Sequence, residues 1–408
     1  MIAEPDAIAA VARALAKSPL VAFDLEFASA DRLVPLLCLL QVSWLDEHQS
    51  LDAPVGEIVA AIPQVRLVDP MAGDVAPIVH ALAAHPRVVA HAPRQDLALL
   101  NARFGTSMGG LVDTQLMAAF TGMGDQIGLA TLANELLGTS LGKELQWTAW
   151  ERRPLTDAQL AYAASDVRHL HALYAILAAK LGPRLDWVRA ETAEIVTDAL
   201  EAVAVTPETA WQQIGGARGL DANAQAALAG LAAWRQRVAI ELDKPLGQVV
   251  NDKNLLELAR HRPRDAGGVR AVKGLSPLAK TRADEIVAAI ADARPSAEVA
   301  TRTAVPRGPS QRAQRWAETL LSIAHVVAEE SSIASRLLAT RGDAEEFARV
   351  FDEHGPDAAA KLPAQATWRR EVLGEIWDGW LSGRIALIGD AASPHGVRLV
   401  PRATGENS

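Results

Sequence analysis

The sequence predicts an α/β domain over residues 1–200 followed by one or two all-α blocks. Three observations carry this. Up to about residue 200, short apolar runs alternate with helix-period segments, as in a sheet with helices layered on it. From about residue 208 the strand signal fades, and apolar residues recur only at helical spacing. Residues 296–312 are rich in Pro, Ser, Thr and Arg and read as a linker between one helical block at 208–295 and a second at 313–396.

The elements follow in order. "LVAFDLEFA" (20–28) reads as a strand, "LLCLLQVSWL" (36–45) as a second, and "HQSLDA" (48–53) as the end of a third. "RVVAHA" (87–92) is a short buried strand. "PRQDLALLNARFG" (93–105) starts at a proline and stops at Gly105, as helices do. In "VDTQLMAAFTG" (112–122), Asp113 is placed as an N-cap and Gly122 as a stop. Residues 155–182 read as one long amphipathic helix, capped by Thr156 with Gln159 in a capping box and ended by Gly182. The two helical blocks resemble each other at a constant offset: Val238, Ala239, Glu241, Val249 and Ala259 match Val327, Ala328, Glu330, Leu338 and Ala348. That pattern predicts two copies of one small helical module, the second degraded.

The formal net charge of −9 argues against a general nucleic-acid binder. Its distribution is uneven, however. Residues 259–282 hold Arg260, Arg262, Arg264, Arg270, Lys273, Lys280 and Arg282 against the single acid Asp265, and local sign steers a polyanion more than the total does. Taken alone, such a stretch is a solvated helix face. Cys38 is the sole cysteine, which rules out an intrachain disulfide and suits a reducing cytoplasm. The first residues carry no basic and apolar leader pattern, and the longest uncharged apolar run is too short to span a bilayer. The expectation is a cytoplasmic protein without a membrane partner.

"VAFDLEF" (21–27) poses the chemical question. On a strand, Asp24 and Glu26 share a face while Phe23, Leu25 and Phe27 take the other. Two carboxylates in a buried sheet repel, and no Lys or Arg lies between Leu20 and Ala30 to answer them. Asp96 lies in the first turn of a helix after a strand, at the carboxyl end of the sheet, where α/β folds place sites. By itself it reads as an acid complementing a helix dipole. Tyr162 and Asp166 stand one turn apart on one helix face, with the small Ala163, Ala164 and Ser165 between them. As a lone pair they signify nothing.

In conjunction and in this order, the strand "DLE", the His91-to-Asp96 segment and the Tyr162-to-Asp166 segment resemble the three motifs of the DEDD exonuclease superfamily, in its tyrosine-bearing subgroup. "DTQLMAAFTG", "LATLANELLG" and "LGKELQWTAWERRPLTDAQLAYAASDVRHL" are similar to the ribonuclease D family. "LAAWRQRVAIELDKPLGQVVNDKNLLELARHRP" resembles an HRDC domain, the module that follows the nuclease in that family. The resemblance implies a ribonuclease H-like mixed sheet with helices on both faces, then HRDC-type helical domains. It implies a 3′→5′ exoribonuclease that releases nucleoside 5′-monophosphates from single-stranded 3′ ends, with tRNA precursors as its substrates and a monomeric chain.

Asp24, Glu26, Asp96 and Asp166 would hold two divalent cations, Mg²⁺ or Mn²⁺, with Asp24 bridging them. Hard cations take oxygen ligands, and two of them about 3.5–4 Å apart suit in-line phosphoryl displacement. Tyr162 would orient the attacking water; with an unperturbed pKa of about 10 it is a poor base at neutral pH. Family positions near the terminal nucleotides correspond to Phe27, Gln41 and His91, against which stand core packing for Phe27 and a satisfied structural role for His91. Trp147, Trp150 and Arg153 lie in a loop flanking the site. Arg260, Arg262 and Lys273 would lengthen the RNA footprint. Two other readings stay open at this point: a DNA 3′→5′ exonuclease, disfavoured by the lack of a polymerase or helicase block, and a non-catalytic RNA-binding protein, disfavoured by the complete acid set.

Overall fold

A computed structural model describes residues 1–142, 148–217, 220–295, 309–394 and 396–402. Its centre is a five-stranded sheet of order β3-β2-β1-β4-β5, formed by β1 (Val21–Ala28), β2 (Leu36–Trp44), β3 (Gln64–Val68), β4 (Val88–Ala90) and β5 (Leu111–Asp113). β1, β2 and β3 run antiparallel, whereas β4 is parallel to β1 and β5 to β4. Parallel neighbours need a crossover, and α3 (Ala76–Ala84) and α4 (Arg94–Phe104) supply the two required. This is the mixed sheet that the sequence predicts.

Two elements differ from expectation. Residues 48–53 form turns and coil, and the third strand lies instead at Gln64–Val68. Gln64 and Arg66 interrupt its apolar run because this outer strand keeps one side in water. Beyond it, Ile2 exchanges hydrogen bonds with Leu67 and Asp69 and covers the free edge. The segment 155–182 is two helices, α7 (Asp157–Arg168) and α8 (Leu170–Leu181), separated at His169. The break lets α7 lie over β1, β2 and β3 while α8 turns to pack on α2 (Val55–Ala60), α5 (Thr114–Ala119) and α6 (Leu129–Leu137). The Thr156–Gln159 capping box is present, and Gly105 takes the left-handed conformation (φ 62°) that ends α4.

β1 alternation divides the core. Val21, Phe23 and Leu25 pack with α1 (Pro5–Lys17), α3 and α4 on one face; Ala22 packs on the other with α5 and α8. α9 (Leu185–Val203) covers the β5 edge, where Thr192 Oγ accepts the Asp113 backbone N–H.

The first helical block has its own core around Trp211, Leu231, Trp234 and Leu255. Its helices α10 (Ala222–Leu242), α11 (Leu246–Val249) and α12 (Asp252–His261) match α16 (Gln311–Glu330), α17 (Ser335–Leu338) and α18 (Arg341–His354) of the second block at one fixed offset; α13 (Ala266–Arg270), α14 (Pro277–Thr281) and α15 (Ala283–Asp292) complete the first. The paired residues singled out in the sequence are equivalent in burial: Ala239 and Ala328, Val249 and Leu338, and Ala259 and Ala348 are all buried. A hairpin of β6 (Ile385–Gly389) and β7 (Val397–Pro401) follows the second block, a strand pair that no periodicity announced.

The second block is welded to the α/β domain. Trp368 packs edge-on against Phe120 (4.8 Å between centroids) and stacks on Trp187 (5.6 Å). Its Nε1–H donates to buried Glu191, which also receives a bidentate Arg369 at 2.7 and 2.8 Å. Removing this ring leaves a large void and strips one partner from a buried carboxylate. Trp368→Ala is expected to destabilise the α/β domain itself by about 3–5 kcal/mol. Urea unfolding followed by Trp187 fluorescence checks this, and an unchanged midpoint would mean that the contact carries no stability.

Candidate active site

Asp24 and Glu26 emerge from β1 on the face covered by α7, and Asp166 descends from α7 onto the same point. Carboxylate oxygens of these three lie within 4.8 Å of one another. They sit at the base of a cleft of about 1040 Å³ that Tyr162, Phe27 and His91 also line. Asp96, from the first turn of α4, is 8% exposed and stands outside that 4.8 Å group, close enough to act on Asp24 and Glu26 electrostatically. A bulge between Glu26 and Phe27 shifts the β1–β2 register there. Bulges beside sites re-aim side chains, and Phe27 accordingly packs against the core below the sheet while lining the cleft above.

Crowding in a dry site governs the protons. Burial pushes Asp24 up to about 7. Burial, then the charges of Asp24, Asp166 and Asp96, push Glu26 up to about 9. Asp166 rises to about 8 through burial and Asp24, and Asp96 rises well above the usual carboxylate range for the same two reasons. The Tyr162 phenol is pushed up by burial and by the acids around it, so it stays protonated at neutral pH.

Neighbouring segments hold the acids in place. Asp113, read from the sequence as a cap, accepts Gln115 N–H at 2.8 Å and also Ala92 N–H at 2.9 Å. Ala92 has a left-handed backbone (φ 53°), so this bond pins the strained β4–α4 turn that delivers Asp96. His91 bonds Thr114 Oγ (2.9 Å) and the Ile127 carbonyl (3.0 Å), and burial lowers its pKa to about 4. It is a neutral, satisfied histidine in the cleft wall, which is the plain structural reading.

Several other sequence expectations change. Arg153 does not reach into the cleft: it forms a bidentate pair with Asp69 and donates to the Cys38 carbonyl, anchoring its loop to the sheet. Trp150 is 3% exposed and packs on Tyr162, so it supports the tyrosine and offers no open stacking face. Trp147 lies outside the described residues. Gln41 is fully buried on β2 and offers no surface to a nucleotide. Arg260 and Lys273 are exposed on the first helical block, while Arg262 caps α12 and pairs with Asp221; none of the three lines the cleft. Gln95, Gln115 and Glu151 do line it, and no spacing in the chain singles them out.

Unfolded carboxylates titrate near 4, whereas Asp24, Asp166 and Glu26 titrate at about 7, 8 and 9 in the fold. Between those limits the folded chain binds more protons than the unfolded one, so stability falls as pH rises. In EDTA, the melting temperature is expected to drop from about pH 5 to about pH 9. Asp24→Asn is expected to flatten the slope and to melt above the parent at alkaline pH. Calorimetry across that range reads both effects; a parent curve flat over the window would contradict the desolvation described.

Comparison with known proteins agrees with this geometry. Residues 1–182 match the 3′-5′ exonuclease family model and residues 224–290 the HRDC domain model. The chain is 34% identical to a ribonuclease D of Acidiphilium cryptum, over 95% of this chain and 94% of the relative. It is 32% identical to a ribonuclease D of Granulibacter bethesdensis, over 95% and 93%. The crystal structure of Escherichia coli RNase D, described as an exoribonuclease involved in structured RNA processing, superposes with a TM-score of 0.74 at 26% identity, covering 94% of this chain and 99% of that one. A DEDD-type fold implies divalent-cation use, and the oxygen-only donors Asp24, Glu26 and Asp166 fit a hard cation. Domain order, overall fold and identity over nearly the full length place the chain in the ribonuclease D family, as a 3′→5′ exonuclease.

Proposed function

We propose that the chain trims RNA from single-stranded 3′ ends, tRNA precursors above all, and releases nucleoside 5′-monophosphates. The observation that carries the site assignment is the convergence of Asp24, Glu26 and Asp166 within 4.8 Å at the floor of an open cleft. With Asp96 as the fourth donor, this set holds two divalent cations, Mg²⁺ or Mn²⁺. When bound, the ions supply the charge that makes water a nucleophile and stabilises the leaving 3′ oxygen.

The chain's own residues do the rest. Ionising the acids requires that charge, because burial otherwise keeps them protonated. Tyr162, a protonated phenol, donates rather than accepts, and orients the attacking water from α7. Phe27 packs against the terminal nucleotide from the bulged end of β1. A duplex end has to fray before it enters, since only an unpaired strand presents its last phosphodiester to the floor.

We divide the chain into an exonuclease unit at 1–200, an HRDC unit at 208–295, a linker at 296–312 and a second HRDC-like unit at 313–396. Arg260, Arg262 and Lys273 contact RNA behind the end being trimmed. The enzyme is a monomer of the cytoplasm; among the described residues no helix is long and apolar enough to cross a membrane.

End-labelled RNA and matched DNA, incubated with Mg²⁺ or Mn²⁺, provide the test. Laddering from the RNA 3′ end is expected, abolished by Asp24→Ala. Tyr162→Phe is expected to lower kcat by about 100-fold through a misplaced water, with KM little changed. Faster digestion of DNA, or binding without cleavage, would replace this reading with one of the alternatives. Arg260→Ala with Lys273→Ala is expected to raise KM for structured RNA and shallow its salt dependence, while a short oligonucleotide is cut as before. Equal KM values on both substrates would remove the HRDC unit from the footprint.

A further inference from the structure

Gln41 lies mid-β2, 0% exposed, and among the described residues neither its Nε2 nor its Oε1 has a hydrogen-bond partner, a state that Gln365 shares. Leaving a buried amide unpaired costs roughly 1–3 kcal/mol per group, and few such groups persist in native folds without a role. Its position supplies one. Gln41 is the direct cross-strand partner of Asp24 in the antiparallel β1–β2 ladder. Directly opposed residues share a sheet face, with Cβ atoms about 4.5–5.5 Å apart. Ser43, two residues along the same face, bonds the Val167 carbonyl of α7 at 2.8 Å, so this face of β2 is the one roofed by the helix that carries Tyr162 and Asp166. Against that roof Ala163 is fully buried and too small to block the space above the strand pair.

We propose that Gln41 is a positioning residue for the metal-binding carboxylates: its Nε2–H donates to the Asp24 carboxylate across the strand pair and holds that side chain in place. This rests on the reading of Asp24 as a cation ligand. The glutamine's terminal torsion is soft, and its reach spans the cross-strand gap. A carboxylate that binds a metal is in turn held by hydrogen bonds from outside the ligand set, and losing such a partner weakens affinity by about 10–100-fold. A glutamine kept here for packing alone would be better replaced by an apolar side chain of its size.

The test uses the full chain, with Mn²⁺ alone as the probe. Gln41→Met keeps length and volume and removes both polar atoms. It is expected to lower Mn²⁺ affinity in titration calorimetry by about 10–100-fold and to raise the Mn²⁺ needed for half-maximal hydrolysis in step, with KM for RNA unchanged. Its melting temperature in EDTA is expected to equal or exceed the parent's, because an unsatisfied amide has gone. Gln41→Leu gives the same readout should the methionine variant fold poorly. A variant that binds Mn²⁺ like the parent, or one that only melts lower, overturns the positioning role and leaves the cation site standing. A parent that binds no Mn²⁺ overturns both.

Discussion

Like charge held in a dry place is the constraint on which this architecture depends. Three carboxylates whose oxygens lie within 4.8 Å repel strongly when ionised. At an effective dielectric of about 20, each pair contributes roughly 3–4 kcal/mol. Three such pairs are comparable with the whole stability of a typical domain, about 5–15 kcal/mol. The fold tolerates the cluster by keeping protons on it, as the upward shifts of Asp24, Glu26 and Asp166 show. Among the described residues no Lys or Arg lines the cleft, so the cluster suits a ligand that brings its own positive charge.

The surrounding structure then reads as the means of holding four acids in that state. β1 contributes two at adjacent same-face positions, so their separation is fixed by the pleat. α7 contributes the third, and the break at His169 frees α7 to lie across β1–β3 instead of following α8. The strained turn at Ala92, pinned by Asp113, aims α4 so that Asp96 is buried beside the group. Arg153 and Trp150 clamp the loop before α7 onto β2 and brace Tyr162. Each of these supports is an ordinary packing or hydrogen-bonding device, and none of them carries the chemistry.

That distinction explains what was legible in the sequence. β1, β2, β4 and the capped helices follow from local patterns that tertiary packing does not override. The proposed acids and Tyr162 could be singled out because same-face spacing on a strand and one-turn spacing on a helix are local facts. The role proposed for them came only from three such weak signals occurring in order. The supports were misread for the opposite reason. Nothing near Arg153 announces Asp69, 84 residues away, so an arginine in a loop flanking the site read as a substrate contact. Gln41 looked like a substrate ligand because its burial depends on α7, which arrives more than a hundred residues later. β3 was missed because an outer strand needs little apolar surface, and the hairpin β6–β7 because a two-stranded ribbon needs even less.

The helical blocks differ in how they meet the nuclease, and that difference divides their labour. The first keeps its own core, against which only Leu33 of the β1–β2 loop packs from the nuclease among the described residues, and polar contacts surround that point. Asp243, in a left-handed turn after α10, accepts the Leu33 backbone N–H at 3.1 Å, and Gln248 donates to the Ala30 carbonyl at 2.8 Å. Ser29 and Ala30, from the same β1–β2 loop, line the cleft. Polar contacts of this size, open to water, are weak individually, and they hold the block beside the loop that lines the cleft. The second block shares one continuous apolar core with the α5–α8 face of the nuclease, sealed by Trp368 and the Glu191–Arg369 pair. A buried charge pair with bidentate geometry is costly to break and restricts movement. The second copy, which lacks a dense basic run like that of residues 259–282, is the one built into the nuclease core.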